Sequence, residues 1–209
     1  MNPPFGPKPS TSSTEIFTLF NLGVQYQNQG ERSNAIQAYQ KVIELDPTFF
    51  EAYNNLGLLY QERGDFDRAL KAFERSIEIN PNYEKAHHNL GILFYLKGRY
   101  DEALESFQKA LSIRPNNIES CLNLGILFKK QGQWEKALDA FKKAFTINPL
   151  HGETHYNIAL LYEQLNQWEL AMDHYRKFIQ LSSTTYPGLA LKVQRHLDSL
   201  YKRNKKKSE

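Results

Sequence analysis

Apolar side chains recur along most of this chain at helical spacing, and the whole pattern repeats with a period of 34 residues. Each copy can be numbered from 1, with starts at Ile16, Phe50, Glu84, Ile118 and Gly152. Positions 4, 7, 8 and 11 then form an i, i+3, i+4, i+7 stripe, which predicts an amphipathic helix over positions 1–14. Position 7 is Leu22, Leu56, Leu90, Leu124 and Ile158; position 11 is Tyr26, Tyr60, Phe94, Phe128 and Tyr162. Positions 20, 24 and 27 predict a second helix. Position 20 is Ala35, Ala69, Ala103, Ala137 and Ala171, and position 24 is Tyr39, Phe73, Phe107, Phe141 and Tyr175. Small residues at position 8 (Gly23, Gly57, Gly91, Gly125, Ala159) and at position 20 let paired helices approach closely. Phe66, Tyr100, Trp134 and Trp168 add an apolar plug at position 17.

Gly30, Gly64, Gly98 and Gly132 close the first helices at position 15, where a left-handed residue is needed. Pro47, Pro81, Pro115 and Pro149 stop the second helices at position 32. Ser12-x-x-Glu15, Thr48-x-x-Glu51 and Asn116-x-x-Glu119 read as capping boxes. The array spans residues 16–185 as 16–49, 50–83, 84–117, 118–151 and 152–185; the fifth copy departs at Ala159, Asn166 and Ser183. Before it, residues 1–15 are a Pro-rich head and first helix cap, with 1–11 expected to be disordered. After it, Leu189, Val193, Leu197 and Leu200 mark a capping helix over 186–202 that covers the last open face. Residues 203–209 read as a basic disordered tail.

Composition narrows the function classes. A hydrophobic content of 41% is too rich for a disordered chain, no apolar run is long enough to span a bilayer, and the first residues lack the apolar core of a secretory signal. A lone cysteine, Cys121, is compatible with a reducing cytosol, and a cytoplasmic location is expected. The net charge of +3 arises at the end of the chain, where Lys202, Arg203, Lys205, Lys206 and Lys207 outweigh Glu209. The rest is near neutral, so no nucleic-acid partner is expected. The tail is read as a solvated end, with nuclear import or an anchor to acidic lipid or nucleic acid as the other options.

The 34-residue signature, five times in register, resembles the tetratricopeptide repeat (TPR) family. That resemblance implies an all-α right-handed superhelical solenoid of five helix–turn–helix units plus a C-terminal capping helix. It also implies a groove lined by positions 2, 5, 6, 9, 12 and 13 of the first helices. Position 6 is asparagine in every copy: Asn21, Asn55, Asn89, Asn123 and Asn157. An amide can bridge both polar groups of an extended backbone, and the pattern resembles the asparagine ladders of O-GlcNAc transferase and kinesin light chain. The other reading is hydrogen bonding between helices. Phe20, Leu58, His88, Ile92, Tyr95, Leu122, Lys129 and Tyr156 would supply side-chain selection, although aliphatic residues at position 9 serve packing equally well. The carboxylate clamp of chaperone-binding TPRs is missing: its first pair would be Phe20 and Val24, or one repeat later Asn54 and Leu58, and Asn89 or Asn123 stands where an arginine is needed.

Candidate chemistry is sparse. His151 and His155 have metal-compatible spacing without a third ligand. His87 takes a packing position beside the groove-facing His88, and Cys121 reads as a small buried residue. No phosphate loop or nucleophile motif occurs, and no cofactor is expected. The sequence predicts a non-catalytic adaptor that binds an extended peptide. The alternative is self-assembly through exposed ends, since the first helix carries Phe17 and Phe20.

Overall fold

The computed structural model describes the backbone of residues 13–208 and the side chains of residues 13–202. The Pro-rich head and the Ser12 capping box lie outside the described residues. Within them are eleven α-helices and no strand. The chain divides into two compact units, residues 1–98 and 99–209.

The first unit contains α1 (Ser13–Asn28), α2 (Arg32–Leu45), α3 (Phe50–Glu62), α4 (Phe66–Ile79) and α5 (Glu84–Leu96). Each helix packs on the next, and α3 also meets α5. The close approach anticipated at position 8 is direct contact with an aromatic ring. A methyl group on Gly57 would stand 2.5 Å from Phe73 Cε1, and one on Gly23 would stand 2.7 Å from Tyr39 Cε1. Tyr39 and Phe73 are themselves fully buried. Ser76, at position 27, is buried and donates its hydroxyl to the Phe50 carbonyl at 2.9 Å.

The second unit contains α6 (Tyr100–Ile113), α7 (Ile118–Lys130), α8 (Trp134–Ile147), α9 (Gly152–Gln164), α10 (Trp168–Ser182) and α11 (Pro187–Ser208). Two clusters of its core lie among the described residues. One joins Cys121, Leu122, Phe128, Phe141 and Ile158. The other joins Ala159, Ala171, Met172, Tyr175 and Phe178 of the last hairpin to Val193, Leu197 and Leu200 of α11. Ser183 stands where earlier copies have proline, and α10 has 15 residues against 14 in α8. The stop moves instead to Pro187, the first residue of α11, where its fixed φ suits a helix start.

The turns follow the glycine logic. Gly64 and Gly132 have φ of +76° and +73°, and Asn166 takes the same left-handed role at +59°, as asparagine tolerates better than most residues.

The expected capping boxes are corrected. The cap of α3 is Phe49, without a side-chain bond, and the cap of α7 is Asn117, whose side chain accepts from Ser120 N at 2.6 Å. Thr48 instead donates its N–H and hydroxyl to Asp46 Oδ1 at 2.9 and 2.6 Å. Asn80 and Asn148 accept in the same way from Asn82 N and Leu150 N. These turns begin one residue before the repeating proline, and ahead of α3 the turn occupies Thr48 so that the cap falls one position later, at Phe49.

Two other expectations shift. The buried stripe of α11 is Ala190, Val193, Leu197 and Leu200, while Leu189 is 38% exposed. The helix also runs on to Ser208, beyond the boundary expected at 202. Nothing in its lysine-rich end breaks a helix, and cations favour a C-terminus.

Candidate functional site

The asparagines at position 6 occupy different surroundings. In the first unit two of them belong to a directed chain of hydrogen bonds. Asn89 Nδ2 donates to Asn54 Oδ1 at 2.9 Å, Asn54 Nδ2 to Asn55 Oδ1 at 3.3 Å, Asn55 Nδ2 to the Tyr39 hydroxyl at 3.1 Å, and that hydroxyl to Gln27 Oε1 at 3.0 Å. The chain links α5, α3, α2 and α1. Asn54, Gln27 and Tyr39 complete it, none of them in the asparagine register. Asn21 is exposed. In the second unit Asn157 is buried and folds back to donate to the Glu153 carbonyl at 3.0 Å. Asn123 is half-buried and makes no side-chain hydrogen bond to another described residue.

The side chains expected to select a ligand also separate. In the first unit Phe20 stacks on Phe49 and Tyr39, with centroids 4.9 and 5.6 Å away. Leu58, His88, Ile92 and Tyr95 are half-buried. In the second unit Leu122 is 3% exposed and sits in the core. Its place is corrected from groove surface to packing, because an apolar side chain against α8 and α9 gains more from burial than from solvent contact. Ile126 leans on the same core and Leu160 on that of the last hairpin.

Tyr156 lies at the site with the fullest geometry. A cleft of about 760 Å³ opens between α9 and α11. Tyr156, Leu160, Trp168, Leu189 and Val193 give it apolar walls, and Glu163, Gln164, Lys192 and His196 supply polar groups. Tyr156 is held against Phe178 at 5.1 Å. The Tyr175 hydroxyl donates to Glu163 Oε2 at 2.6 Å, and His196 Nε2 lies 3.0 and 2.9 Å from the two Glu163 oxygens. Burial, with the Glu163 carboxylate beside it, pushes the Tyr175 phenol well above its ordinary range. Glu163 is therefore already held by two groups of the protein. Leu189, Lys192 and His196 were missed in the sequence because α11 was read only as a cover.

His87 and His155 are tied to backbone carbonyls. His87 Nε2 and His155 Nε2 each meet the carbonyl of the proline six residues earlier, Pro81 and Pro149, at 2.9 Å. A carbonyl only accepts, so each Nε2 carries the proton. His155 Nδ1 is then the acceptor for His174 Nδ1–H at 3.0 Å. Phe145 edges against His155, and Tyr162 tilts against His174. Among the described residues no three His, Cys, Asp or Glu side chains converge to hold a metal. Cys121 is buried, which raises its thiol pKa. No helix among them is long and apolar enough to cross a membrane.

Burial and the neighbouring His155 push His174 down to about 4. An unfolded histidine takes up its proton near pH 6.5. As pH falls from 6.5 towards 4 the unfolded chain gains a proton that the folded chain refuses, so stability drops over that window. The ring is half-buried and solvent screens part of the penalty, so the drop is about 1–2 kcal/mol. Urea unfolding at pH 7 and pH 4.5 checks this: the His174→Phe variant should lose that much less than the parent. Parallel losses in the two proteins would remove the histidine pair as the cause.

Family models described as tetratricopeptide repeat match residues 48–116, 83–149 and 117–183, and one described as TPR repeat matches residues 23–64. No curated protein matches the chain at a significant level. Solved structures of similar architecture include MamA (41 to the end) from Desulfovibrio magneticus RS-1, at 19% identity and TM-score 0.69, covering 81% of this chain and 96% of that one. A thermophilic TPR protein of Thermus thermophilus aligns at 20% identity and TM-score 0.70, covering 89% and 98%. YrrB, described as a TPR protein with an unusual peptide-binding site, aligns at 22% identity and TM-score 0.63, covering 86% and 92%. At these identities the likeness carries the fold. The matched models span most of the chain, and together with the paired helices and the glycine–proline period they establish that this protein belongs to the tetratricopeptide repeat family.

Proposed function

We propose that this protein is a non-catalytic adaptor that binds an extended segment of a partner protein along its first-helix faces. The observation that carries this reading is the cleft beside α9. It has apolar walls on both sides, and its one carboxylate, Glu163, is already engaged by Tyr175 and His196. Such a cleft accepts an apolar side chain without leaving that carboxylate unpaired. Backbone contacts would come from Asn21, Asn55, Asn89, Asn123 and Asn157. An amide nitrogen has two hydrogens, so Asn55 and Asn89 each retain one beyond the bond that they make within the protein.

Replacing Asn55, Asn89 and Asn123 with alanine tests the ladder. Each lost backbone bond is worth about 1 kcal/mol, so affinity for a selected peptide should fall at least tenfold. Asn123→Ala alone is the clean control, because this side chain ties no helices together among the described residues. The ladder reading fails if isothermal titration gives the triple variant the affinity of the parent.

Self-assembly has one observation in its favour. Phe17 is 57% exposed beside a small cleft of about 280 Å³ lined by Ile16, Phe49 and Phe50. Another observation opposes it. Position 10 is a fully buried leucine in later copies (Leu59, Leu93, Leu127, Leu161) but an exposed glutamine, Gln25, in α1. A polar residue there weakens that face as a stacking surface. Light scattering that stays monomeric across concentration favours the adaptor.

A further inference from the structure

Position 12 of the first helices behaves in two ways, according to position 24 of the same repeat. In the first and fifth repeats position 24 is a tyrosine, and its hydroxyl engages position 12: Tyr39 with Gln27 at 3.0 Å, and Tyr175 with Glu163 at 2.6 Å. In the second and fourth repeats position 24 is a phenylalanine, Phe73 or Phe141, which has no hydroxyl to offer. Gln61 Oε1, at position 12 of the second repeat, is correspondingly a buried acceptor without a partner among the described residues. Lys129 holds position 12 of the fourth.

Lys129 lies near the end of α7, half-buried, and no ion pair or hydrogen bond engages its amine among the described residues. Glu163, its counterpart on α9, lines the cleft, so position 12 of that helix faces the proposed ligand. Burial lowers the Lys129 pKa, and no nearby carboxylate offsets that effect. Lys130 follows it, exposed, and Lys192 lines the cleft from α11. The second unit therefore has an apolar cleft with one lysine, Lys192, in its lining and its one lining carboxylate already engaged by Tyr175 and His196, and an amine unpaired among the described residues at the equivalent position of the preceding first helix.

We infer that Lys129 is a specificity residue that pairs with an aspartate or glutamate side chain of the bound segment, next to an apolar residue seated in the cleft. This rests on the groove-binding reading above. A half-buried amine lacking a counter-charge gains more from a carboxylate than an exposed one does, since less water competes for it. The fifth repeat shows the opposite arrangement, with a carboxylate at position 12 locked by a tyrosine.

The test is selection of a random dodecamer peptide library, fused to its carrier through the peptide C-terminus so that no free terminal carboxylate is offered, on the immobilised full chain. The recovered peptides should share an acidic residue at a fixed offset from an apolar one. In fluorescence anisotropy, replacing that acid by its amide should weaken binding about tenfold. Lys129→Met should weaken the acidic peptide equally and leave the amide peptide unchanged, while Lys129→Arg retains the preference. Phe141→Tyr combined with Lys129→Glu, which rebuilds the arrangement of the fifth repeat, should abolish it. Peptides enriched without an acidic position, or an acid preference that survives Lys129→Met, would overturn the role of Lys129 and leave peptide binding standing. No enrichment at all would overturn both.

Discussion

Removal of residues 187–209 should unfold the last hairpin and leave the first unit folded. Val193, Leu197 and Leu200 of α11 bury their side chains against Ala159, Met172, Tyr175 and Phe178. Burying an aliphatic side chain of this size is worth about 1.5–3 kcal/mol, so the three together contribute about 5–9 kcal/mol. Glu163 would also lose its contact with His196. In a repeat protein such a loss is felt mainly by the neighbouring element. Amide exchange should therefore lose protection across α9 and α10 and keep it in α1 to α4. Unchanged protection in α9 would show that the last hairpin stands without its cover. Leu197→Asp should give the same pattern in milder form, which separates lost packing from lost chain length.

Gly57→Val should cost about 3 kcal/mol, because even a single methyl at this position meets the fully buried Phe73 ring at 2.5 Å. The better helix propensity of a non-glycine residue recovers less than about 1 kcal/mol of this. The array contains its own control: Ala159 occupies the same position against Tyr175, so a methyl is tolerated where the ring sits to suit it. Chemical denaturation of Gly57→Val, Phe73→Leu and the double variant gives the coupling directly. If steric conflict dominates, the double variant is more stable than the sum of the single losses predicts; simple additivity would point to backbone effects.

The period made most of the fold legible, because glycine at position 15 and proline at position 32 act through local backbone chemistry that needs no knowledge of the rest of the chain. The caps were misplaced for a related reason. Thr48 and Asn116 match a cap signature, but Thr48 is held by the turn that Asp46 begins before the repeating proline, and at α7 the neighbouring Asn117 caps instead. The site was less legible, since equivalent positions differ in burial. Leu122 and Tyr156 both hold position 5, yet one is enclosed by the core and the other borders the cleft. Which outcome occurs depends on the size of residues on neighbouring helices. On α11, spacings of four, four and three from Leu189 and of three, four and three from Ala190 are both helical. The chain buries the alanine and turns the leucine, with Lys192 and His196, towards the cleft.

The hydrogen-bonded chain from Asn89 to Gln27 has a polarity. Each of Asn54, Asn55 and Tyr39 accepts on one side and donates on the other, always in the same sense. Turning over the Asn54 amide would set donor against donor towards Asn89 and acceptor against acceptor towards Asn55, so these three orientations hold as a set. Aligned bonds of this kind polarise one another. A donor arriving at Asn89 Oδ1 would strengthen the links behind it and be registered at Gln27, three helices away, without any backbone having moved.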